Sequence, residues 1–415
     1  MPVVWPAGRS LFRAGIGAAV PLPSWARRRG RGDRPEWSEG FAPRAPKRAE
    51  VARRRLKNTQ MHVAGDGPEP TPESERIRAA AFAAVRAWRD AEGFDAALLY
   101  GSAAWGDASE GSDGDVMLLF DRDGVWEDVV RVHEPASGLH FDVVRASWAA
   151  FERGLAGGWW LPRLAAGVIL LDFGHLARLA MEARLQWRDP AARAARAAAA
   201  VGTGPQPADD GTGPAAVDSC RQATLSAAHS LLLARGVPPS GHHLLTRLRT
   251  TAGQLAVDTL AEGVGLPSAP EGARAQHDAA MALLRWARGV ASAAAVAEGG
   301  SSAVAGQALR FGLSPDTVEE VEAGAAAWQR QGAWGQWGLA SRDLARIAVL
   351  RNVAPLLGVP AAPDALAVWL TEHEPRLLPV WWEALGCKTW GAAHIAAAMR
   401  ARATLTALAG LTATD

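Results

Sequence analysis

The sequence predicts an α+β fold in which a small mixed-sheet domain is followed by an α-helical bundle domain. Short apolar runs typical of strands, separated by turns rich in Gly, Pro and Asp, stop at about Asp172, and amphipathic helical periodicity fills the rest of the chain. The size agrees, because 415 residues with 49% hydrophobic content are enough to bury two cores.

The first domain is predicted over residues 71–190. It opens with a helix that Thr71 caps and Pro72 begins, and Gly93 ends that helix. A short helix or turn is expected from Ser102 to Gly106, and a further helix to about Trp187. The predicted strands are Ala96–Tyr100, Asp115–Phe120, Trp126–His133, Leu139–Val144 and Val168–Asp172.

The second domain is predicted to be entirely helical. Residues 191–217 are interpreted as a linker, because the stretch from 201 to 217 is rich in Gly, Pro and Asp and has no periodicity. Residues 218–415 are interpreted as a bundle of amphipathic helices joined by short turns. The expected segments are 218–235, 243–262, 271–297, 315–331, 341–356 and 363–409, the last with interruptions near Pro375 and Gly386.

The first 70 residues are predicted to be a disordered basic extension. Residues 1–60 hold 14 Lys and Arg against four acids, a net charge of +10, which leaves −9 on the rest of a chain whose overall charge is +1. A basic arm on an acidic body also suits nucleic acid. The disordered interpretation is favoured over a nucleic-acid partner, because Pro, Gly and Arg cannot bury a core.

Cysteine content and hydropathy favour the cytoplasm. The two cysteines, Cys220 and Cys387, do not make a disulfide framework, and free thiols suit a reducing compartment. No apolar run reaches the roughly 18 residues that a membrane helix needs, and no signal peptide is recognised, so no membrane partner is expected.

The stretch YGSAAWGDASEGSDGDVMLLF, residues 100–120, carries the most informative pattern. A strand ends at Gly101-Ser102, where glycine permits close backbone approach and the hydroxyl can donate to a phosphate. Asp113 and Asp115 lie at the start of the next predicted strand. Side chains two residues apart in a strand point to the same face of the sheet. Two neighbouring carboxylates raise each other's pKa unless a cation lies between them, so the pair predicts a magnesium site.

These residues resemble the signature of the polymerase β-like nucleotidyltransferase superfamily, a Gly-Ser followed at a fixed distance by Asp-x-Asp. The similarity is greatest to its minimal and aminoglycoside-type members and covers residues 76 to about 185. The family has a third carboxylate on a neighbouring strand, and Asp142 in LHFDVV matches it. The resemblance implies a mixed sheet with helices on one side.

The resemblance also implies the chemistry. Gly101 and Ser102 would hold an NTP, and Asp113, Asp115 and Asp142 would act as the catalytic residues and bind two Mg²⁺ ions. A nucleoside monophosphate, AMP from ATP by expectation, would then pass to the hydroxyl of a small molecule. Transfer to a protein or a tRNA, and a catalytically silent nucleotide-binding scaffold, are the alternatives.

The chain departs from the family pattern at two places. Small members often have an Arg after the Gly-Ser, where this chain has Ala103 and then Trp105, and an aliphatic residue usually separates the two aspartates, where this chain has Gly114. Neither departure removes a metal ligand. Both leave the subfamily open.

Other polar residues are predicted to have structural roles. Adjacent histidines point to different sides of a helix, so His242 and His243 are interpreted as capping or surface residues. Cys387 is interpreted as structural, and the spacing of Arg221 and His229 does not support a helical toxin nuclease. The resemblance implies a carboxylate of the helical domain as general base, but the sequence offers too many candidates to identify one.

A chain that starts at Met61 should keep the melting temperature and nucleotide turnover of the full chain, because residues 1–60 have a composition that cannot pack. Differential scanning calorimetry and a transfer assay on the two proteins would measure this. A large loss of either property would mean that the basic extension folds onto the rest of the protein.

Overall fold

The computed structural model describes most of the chain from residue 67 onward. The described residues are 67–124, 126–158, 160–202, 213–297, 305, 308, 313, 315–387 and 391–411. The predicted basic extension therefore lies outside the described residues except at its last four positions.

The structure is a mixed α and β protein, in agreement with the predicted α+β class. The strands are β1 Ala96–Tyr100, β2 Gly114–Phe120, β3 Glu127–Glu134, β4 Leu139–Ser147 and β5 Val168–Asp172. Six helices lie in the described part of the chain before the gap at residues 203–212, which the structure does not describe. They are α1 Pro72–Glu92, α2 Gly101–Trp105, α3 Trp148–Ala156, α4 Leu161–Ala166, α5 Leu176–Arg188 and α6 Pro190–Gly202.

Beyond this gap the described residues form helices only. These are α7 Pro214–Ala234, α8 Leu244–Ala252, α9 Gln254–Val264, α10 Pro270–Ala297, α11 Pro315–Gln331, α12 Trp334–Arg346 with a π-helical turn at Ile347–Arg351, α13 Pro363–His373, α14 Leu378–Ala384 and α15 Ala392–Leu408.

The five strands form one mixed sheet in the order β3-β4-β2-β1-β5. Strands β2 and β4 are parallel, and the other neighbours are antiparallel. The parallel pair sets Asp115 opposite Asp142, and the antiparallel β3–β4 pair sets Arg131 opposite Asp142. The register thus brings three charged residues from three strands to one end of the sheet.

Successive side chains of β1 point to opposite faces of the sheet, and each face packs against its own set of helices. Ala97 and Leu99 face the core that Ile77 and Val85 of α1 contribute to, whereas Leu98 faces a second core. That second core is completed by buried residues of α3, α4 and α5. Helices therefore pack on both faces of the sheet, and the implied arrangement with helices on one side is wrong.

Helix α1 begins and ends where the sequence predicts. The Thr71 hydroxyl accepts a hydrogen bond from Ser74 N at 3.1 Å and donates one to Ala108 O at 2.7 Å. Gly93 ends the helix in the left-handed conformation, with φ +72°. The N-terminal cap therefore also ties α1 to the loop that precedes β2.

The linker predicted over residues 191–217 is narrower in the structure. Residues 190–202 form α6, which starts at a proline and buries Ala197 and Ala200, and α7 already begins at Pro214. The alanine-rich sequence has a high helix propensity and packs against α7, and the Gly, Pro and Asp that indicated a linker begin only near residue 201. The remaining positions, 203–212, lie outside the described residues.

The helical half has two main apolar cores. One includes Trp381 and Cys387, both fully buried, and the other lies among α7, α8, α9 and α15. Trp337 is also buried, and the partly buried Trp334 and Trp328 pack against it. Cys387 has the predicted structural environment, although Arg221 Nη1 lies 3.3 Å from its Sγ.

A buried ion pair links the sheet-containing half to the helical half. Arg247 of α8 binds Asp107 through two nitrogens, at 2.6 and 2.8 Å, and donates to Pro238 O at 2.6 Å. The Arg247 side chain is 4% exposed and the Asp107 side chain 10%. Asp107 lies in the loop from α2 to β2, so the helical half holds that loop.

Among the described residues, none of the helices combines the length and the apolar character needed to cross a membrane.

Replacing Arg247 with Met should lower the free energy of unfolding by about 3–5 kcal/mol, because the Asp107 carboxylate would stay buried without its cation. The double variant Asp107→Asn with Arg247→Met should cost less than the sum of the two single changes. Urea unfolding of the four proteins measures this coupling.

Arg330→Gln is the matched control. Its ion pair with Glu110, at 2.8 Å, also joins the two halves but is exposed, so its loss should cost less than about 1 kcal/mol. Additive effects of the Asp107 and Arg247 changes would show that the buried pair contributes no coupling.

Candidate active site

The site begins where β1 turns into α2 at Gly101. This glycine has φ +76°, a conformation that other residues adopt only with strain. A Cβ at this position would lie 3.0 Å from Asp115 Cγ and would overlap its Oδ2. Glycine at 101 is therefore required for the chain to pass against the Asp115 carboxylate.

Ser102 follows in the first turn of α2. Its carbonyl accepts hydrogen bonds from Gly106 N at 2.9 Å and Asp107 N at 3.1 Å. Within the described part of the protein, its hydroxyl makes no hydrogen bond, and the residue is only half-buried. The hydroxyl is therefore available to a ligand.

The loop between α2 and β2 is fixed by its own hydrogen bonds. Ala108 N donates to the Ser74 hydroxyl at 3.0 Å, Ser109 N donates to the Ser112 hydroxyl at 3.0 Å, and Ser112 N donates to Ser109 O at 2.9 Å. These bonds precede Asp113 directly, so they help to define where its carboxylate lies.

The three predicted aspartates lie at one end of the parallel strand pair. Asp113 immediately precedes β2, Asp115 is its second residue, and Asp142 is directly opposite Asp115 on β4. The structure therefore brings together all three residues that the sequence identified, next to Gly101.

An arginine that sequence reasoning did not identify lies among these carboxylates. Arg131 of β3 places Nη2 3.1 Å from Asp113 Oδ2 and Nε 3.2 Å from Asp142 Oδ1. Its side chain is 7% exposed. The cation is thus buried between two of the three acids.

Burial and mutual repulsion perturb the aspartates. Burial raises the pKa of Asp142 to about 7, and the Asp113 carboxylate adds to the shift while Arg131 opposes it. Burial also raises the pKa of Asp115 well above its usual range, with further contributions from Asp113 and Asp142. Ionising all three in this environment is unfavourable unless a further positive charge is present.

A second arginine approaches the site on the same face of the sheet, the face that α3, α4 and α5 cover. The Arg163 guanidinium of α4 lies 5.7 Å from the Tyr100 ring centroid and 5.2 Å from the Trp160 ring centroid. Burial lowers its pKa, and Tyr100 and Asp115 act in the opposite direction. Arg163 therefore provides positive charge near Asp115, although no arginine follows Gly101-Ser102 in the sequence.

The glycine between the two aspartates also has a structural reason. A Cβ on Gly114 would overlap the Phe141 ring and lie 3.2 Å from Ile77 Cγ2. Phe141, fully buried on β4, thus fills the space that an aliphatic side chain at position 114 would take. With glycine at position 114, Asp113 still immediately precedes β2 and Asp115 is still its second residue.

The helical half contributes His243 close to the site. His243 directly precedes α8, one turn before Arg247, but its side chain makes no capping hydrogen bond. Burial lowers its pKa to about 4, and Asp107 and Asp113 act against this shift. His242 is exposed and packs near Trp328, at 6.1 Å between ring centroids. The capping role predicted for His243 is therefore wrong, and its imidazole is neutral at pH 7.

The donor set suits a hard divalent cation. Two carboxylates lie within reach of one guanidinium, and Asp142 Oδ1 is buried without a hydrogen-bond donor. In the described part of the chain, no group of three or more His, Cys, Asp or Glu side chains is already arranged as a metal site. Magnesium is usually held by only one or two carboxylates, with water and substrate phosphates completing its shell, so the residues present fit this ion.

The signals for the remaining site residues were not local. Arg131 is recognisable only from the β3–β4 register, which places it opposite Asp142. Arg163 and His243 are distant in sequence from the Gly-Ser and Asp-x-Asp pattern. Their basic and imidazole side chains were visible in the sequence, but their positions were not.

No protein-family model matches the sequence, and no curated protein matches it.

In metal-free buffer, the free energy of unfolding of Asp142→Asn should increase relative to that of wild type as the pH rises from about 4 to about 7. The folded wild type retains a proton on Asp142, which has a raised pKa, whereas the unfolded state releases it near pH 4. Asp142→Asn removes this contribution and should be more stable than wild type at pH 8 by of the order of 1–4 kcal/mol. The two proteins should differ little near pH 4.

Urea unfolding in EDTA across this pH range measures the effect. Asp258→Asn, at an exposed helical carboxylate, is the control and should leave the pH dependence as in wild type. A constant difference between Asp142→Asn and wild type at every pH would contradict the raised pKa.

Proposed function

We propose that this chain is a Mg²⁺-dependent nucleotidyltransferase that moves a nucleoside monophosphate, with ATP as the expected donor, to a hydroxyl group of a small molecule. The observation that carries the proposal is the meeting of Asp113, Asp115 and Asp142 at one end of two parallel strands, against Gly101. The spacing of these residues resembles the polymerase β-like pattern, and their burial and charge support it.

Each residue has a role that its environment supports. Asp113, Asp115 and Asp142 would hold magnesium, which when bound neutralises phosphate charge and acts as a Lewis acid. Ser102 would donate to a phosphate oxygen. Gly101 lets the turn that carries Ser102 lie directly against the Asp115 carboxylate, so a phosphate held by Ser102 would lie near the metal that Asp115 holds.

In the proposed reaction, the acceptor hydroxyl oxygen forms a bond to the α-phosphorus. The bond from that phosphorus to the bridging oxygen of the β-phosphate breaks, pyrophosphate leaves, and the hydroxyl proton is released. His243 supplies a neutral imidazole on the helical side of the site and is the proposed residue for accepting that proton. Its position fits an acceptor bound between the two halves.

The two arginines add positive charge. Arg131 and Arg163 both act on Asp115, where each lowers the pKa that burial and the other carboxylates raise. A triphosphate carries several negative charges, and guanidinium groups bind phosphate oxygens in a fork geometry. The two side chains thus take the part that an arginine after the Gly-Ser plays in small family members.

A transfer assay tests the proposal directly. The full chain is incubated with each of the four NTPs, labelled at the α-phosphate, in Mg²⁺ and a cell extract. Label on small molecules is the expected result, and label on protein or tRNA would replace the acceptor class. No label with any NTP would support the silent nucleotide-binding scaffold if NTP and Mg²⁺ raise the melting temperature, and would reject nucleotide binding altogether if they leave it unchanged.

Substituting the aspartates separates catalysis from folding. Asp142→Asn should lower turnover by at least about a hundredfold, because losing charge stabilisation at a metal site costs several kcal/mol at the transition state. Its nucleotide affinity should fall much less. Asp113→Asn and Asp115→Asn should lower both, and affinity is measured from the NTP-dependent rise in melting temperature.

Asp258→Asn, which removes an exposed carboxylate far along the chain, should leave turnover and affinity unchanged. Near-normal transfer by Asp113→Asn would rule out the assigned role of the aspartates, since Asn is a good turn residue and would preserve the fold.

A further inference from the structure

Arg131 lies where a divalent cation would also be attracted. Its guanidinium bridges Asp113 and Asp142 at 3.1 and 3.2 Å, and its side chain is 7% exposed. Because β3 and β4 pair in register, Arg131 is held directly opposite Asp142, whereas Asp113 comes from the loop before β2. One cation thus joins two carboxylates that belong to different parts of the chain.

An arginine with a purely structural role in the same sheet has a different setting. Arg145 of β4 pairs with Glu92 at 2.6 Å, and both side chains are about a quarter to a third exposed, at 31% and 26%. That pair joins the sheet to α1 and lies outside the aspartate cluster. Arg131, by contrast, is buried and shared by two proposed metal ligands.

A metal ion and the Arg131 guanidinium cannot both bind Asp113 and Asp142 closely. Like charges a few ångströms apart repel strongly in a buried site, so a metal ion that enters alone must displace Arg131 or bind against it. Displacement separates the guanidinium from the Asp113 and Asp142 carboxylates, and another anion can then take their place. A nucleotide phosphate is such an anion, and its geometry matches the guanidinium fork.

We propose that Arg131 is a positioning residue that acts as an internal counter-ion. It keeps a divalent cation from binding alone, and its guanidinium moves from the two carboxylates to the nucleotide phosphates when metal and nucleotide bind together. This inference rests on the proposed function, since it assigns the site to a metal and a nucleotide. It adds an order to binding, in which the metal enters with the nucleotide.

Mn²⁺ binding to the full chain tests the inference without any transfer reaction. Free Mn²⁺ is followed by electron paramagnetic resonance while it is titrated into wild type, Arg131→Gln, Arg131→Met and Arg131→Lys. The neutral variants should bind Mn²⁺ alone at least tenfold more tightly than wild type. The lysine variant keeps the charge but reaches only one carboxylate at a time, so its affinity should lie in between.

The matched control is Arg145→Gln, which removes the same charge from the same sheet and should leave Mn²⁺ affinity at the wild-type value. A second titration uses a non-hydrolysable ATP analogue in constant Mg²⁺. In this titration the ranking of affinities should reverse: Arg131→Gln and Arg131→Met should bind the analogue at least fivefold more weakly than wild type. Circular dichroism and melting temperature confirm that each variant is folded.

Mn²⁺ affinity that is equal or weaker in the neutral variants would overturn the inference, and so would a matching gain in Arg145→Gln. If neither neutral variant folds, the graded response of Arg131→Lys decides. The proposed function fails separately: a gain in Mn²⁺ affinity without analogue binding or nucleotide transfer in wild type would keep the counter-ion role and reject the nucleotidyltransferase.

Discussion

Repulsion among three crowded carboxylates is the constraint on which the site depends. Asp115 and Asp142 are buried and face each other across parallel strands, and the raised pKa of each reflects the cost of ionising both. The surrounding structure limits this cost in two ways. Arg131 supplies a buried positive charge, and the hydrogen-bonded loop before β2 holds Asp113 beside the Arg131 guanidinium.

The loop before β2 is also the place where the two halves of the described chain meet. Asp107 pairs with Arg247, Glu110 pairs with Arg330, and a Cβ on Gly111 would lie 3.5 Å from Gly324 N of α11. The segment that carries the first aspartate is thus held from both sides. A shift of α8 or α11 would reach the carboxylates through this loop, and an acceptor bound between the halves would contact the same elements.

The sequence contained enough to locate the site but not to complete it. Asp113 and Asp115 share a local pattern with Gly101 at the start of a predicted strand, whereas Asp142, inside the predicted strand Leu139–Val144, was assigned through the family resemblance. Arg131 could not be found in this way, because its partners depend on the register between β3 and β4. Register is set by packing over the whole sheet, and a shift of one residue would have turned Arg131 to the other face.

Three other features of the structure also differ from the sequence-based predictions. The first residues of the predicted linker form α6 because their alanine-rich sequence favours a helix that packs against α7, whereas the Gly, Pro and Asp that indicated a linker begin only near residue 201. The sheet carries helices on both faces because α3, α4 and α5 return across it after β4, a matter of connection rather than composition. His243 was interpreted from its neighbour His242, whereas its environment is set by Asp107 and Arg247 of the buried ion pair.

Phe141 and Gly114 share one volume between two strands, and this has a consequence for how such a site can change over time. An aliphatic residue between the aspartates and an aromatic residue at 141 are alternative ways to fill the same space. Neither can be exchanged alone, because one step would leave a cavity and the other a collision. In this chain an aliphatic side chain at position 114 would therefore be tolerated only together with a smaller residue at position 141.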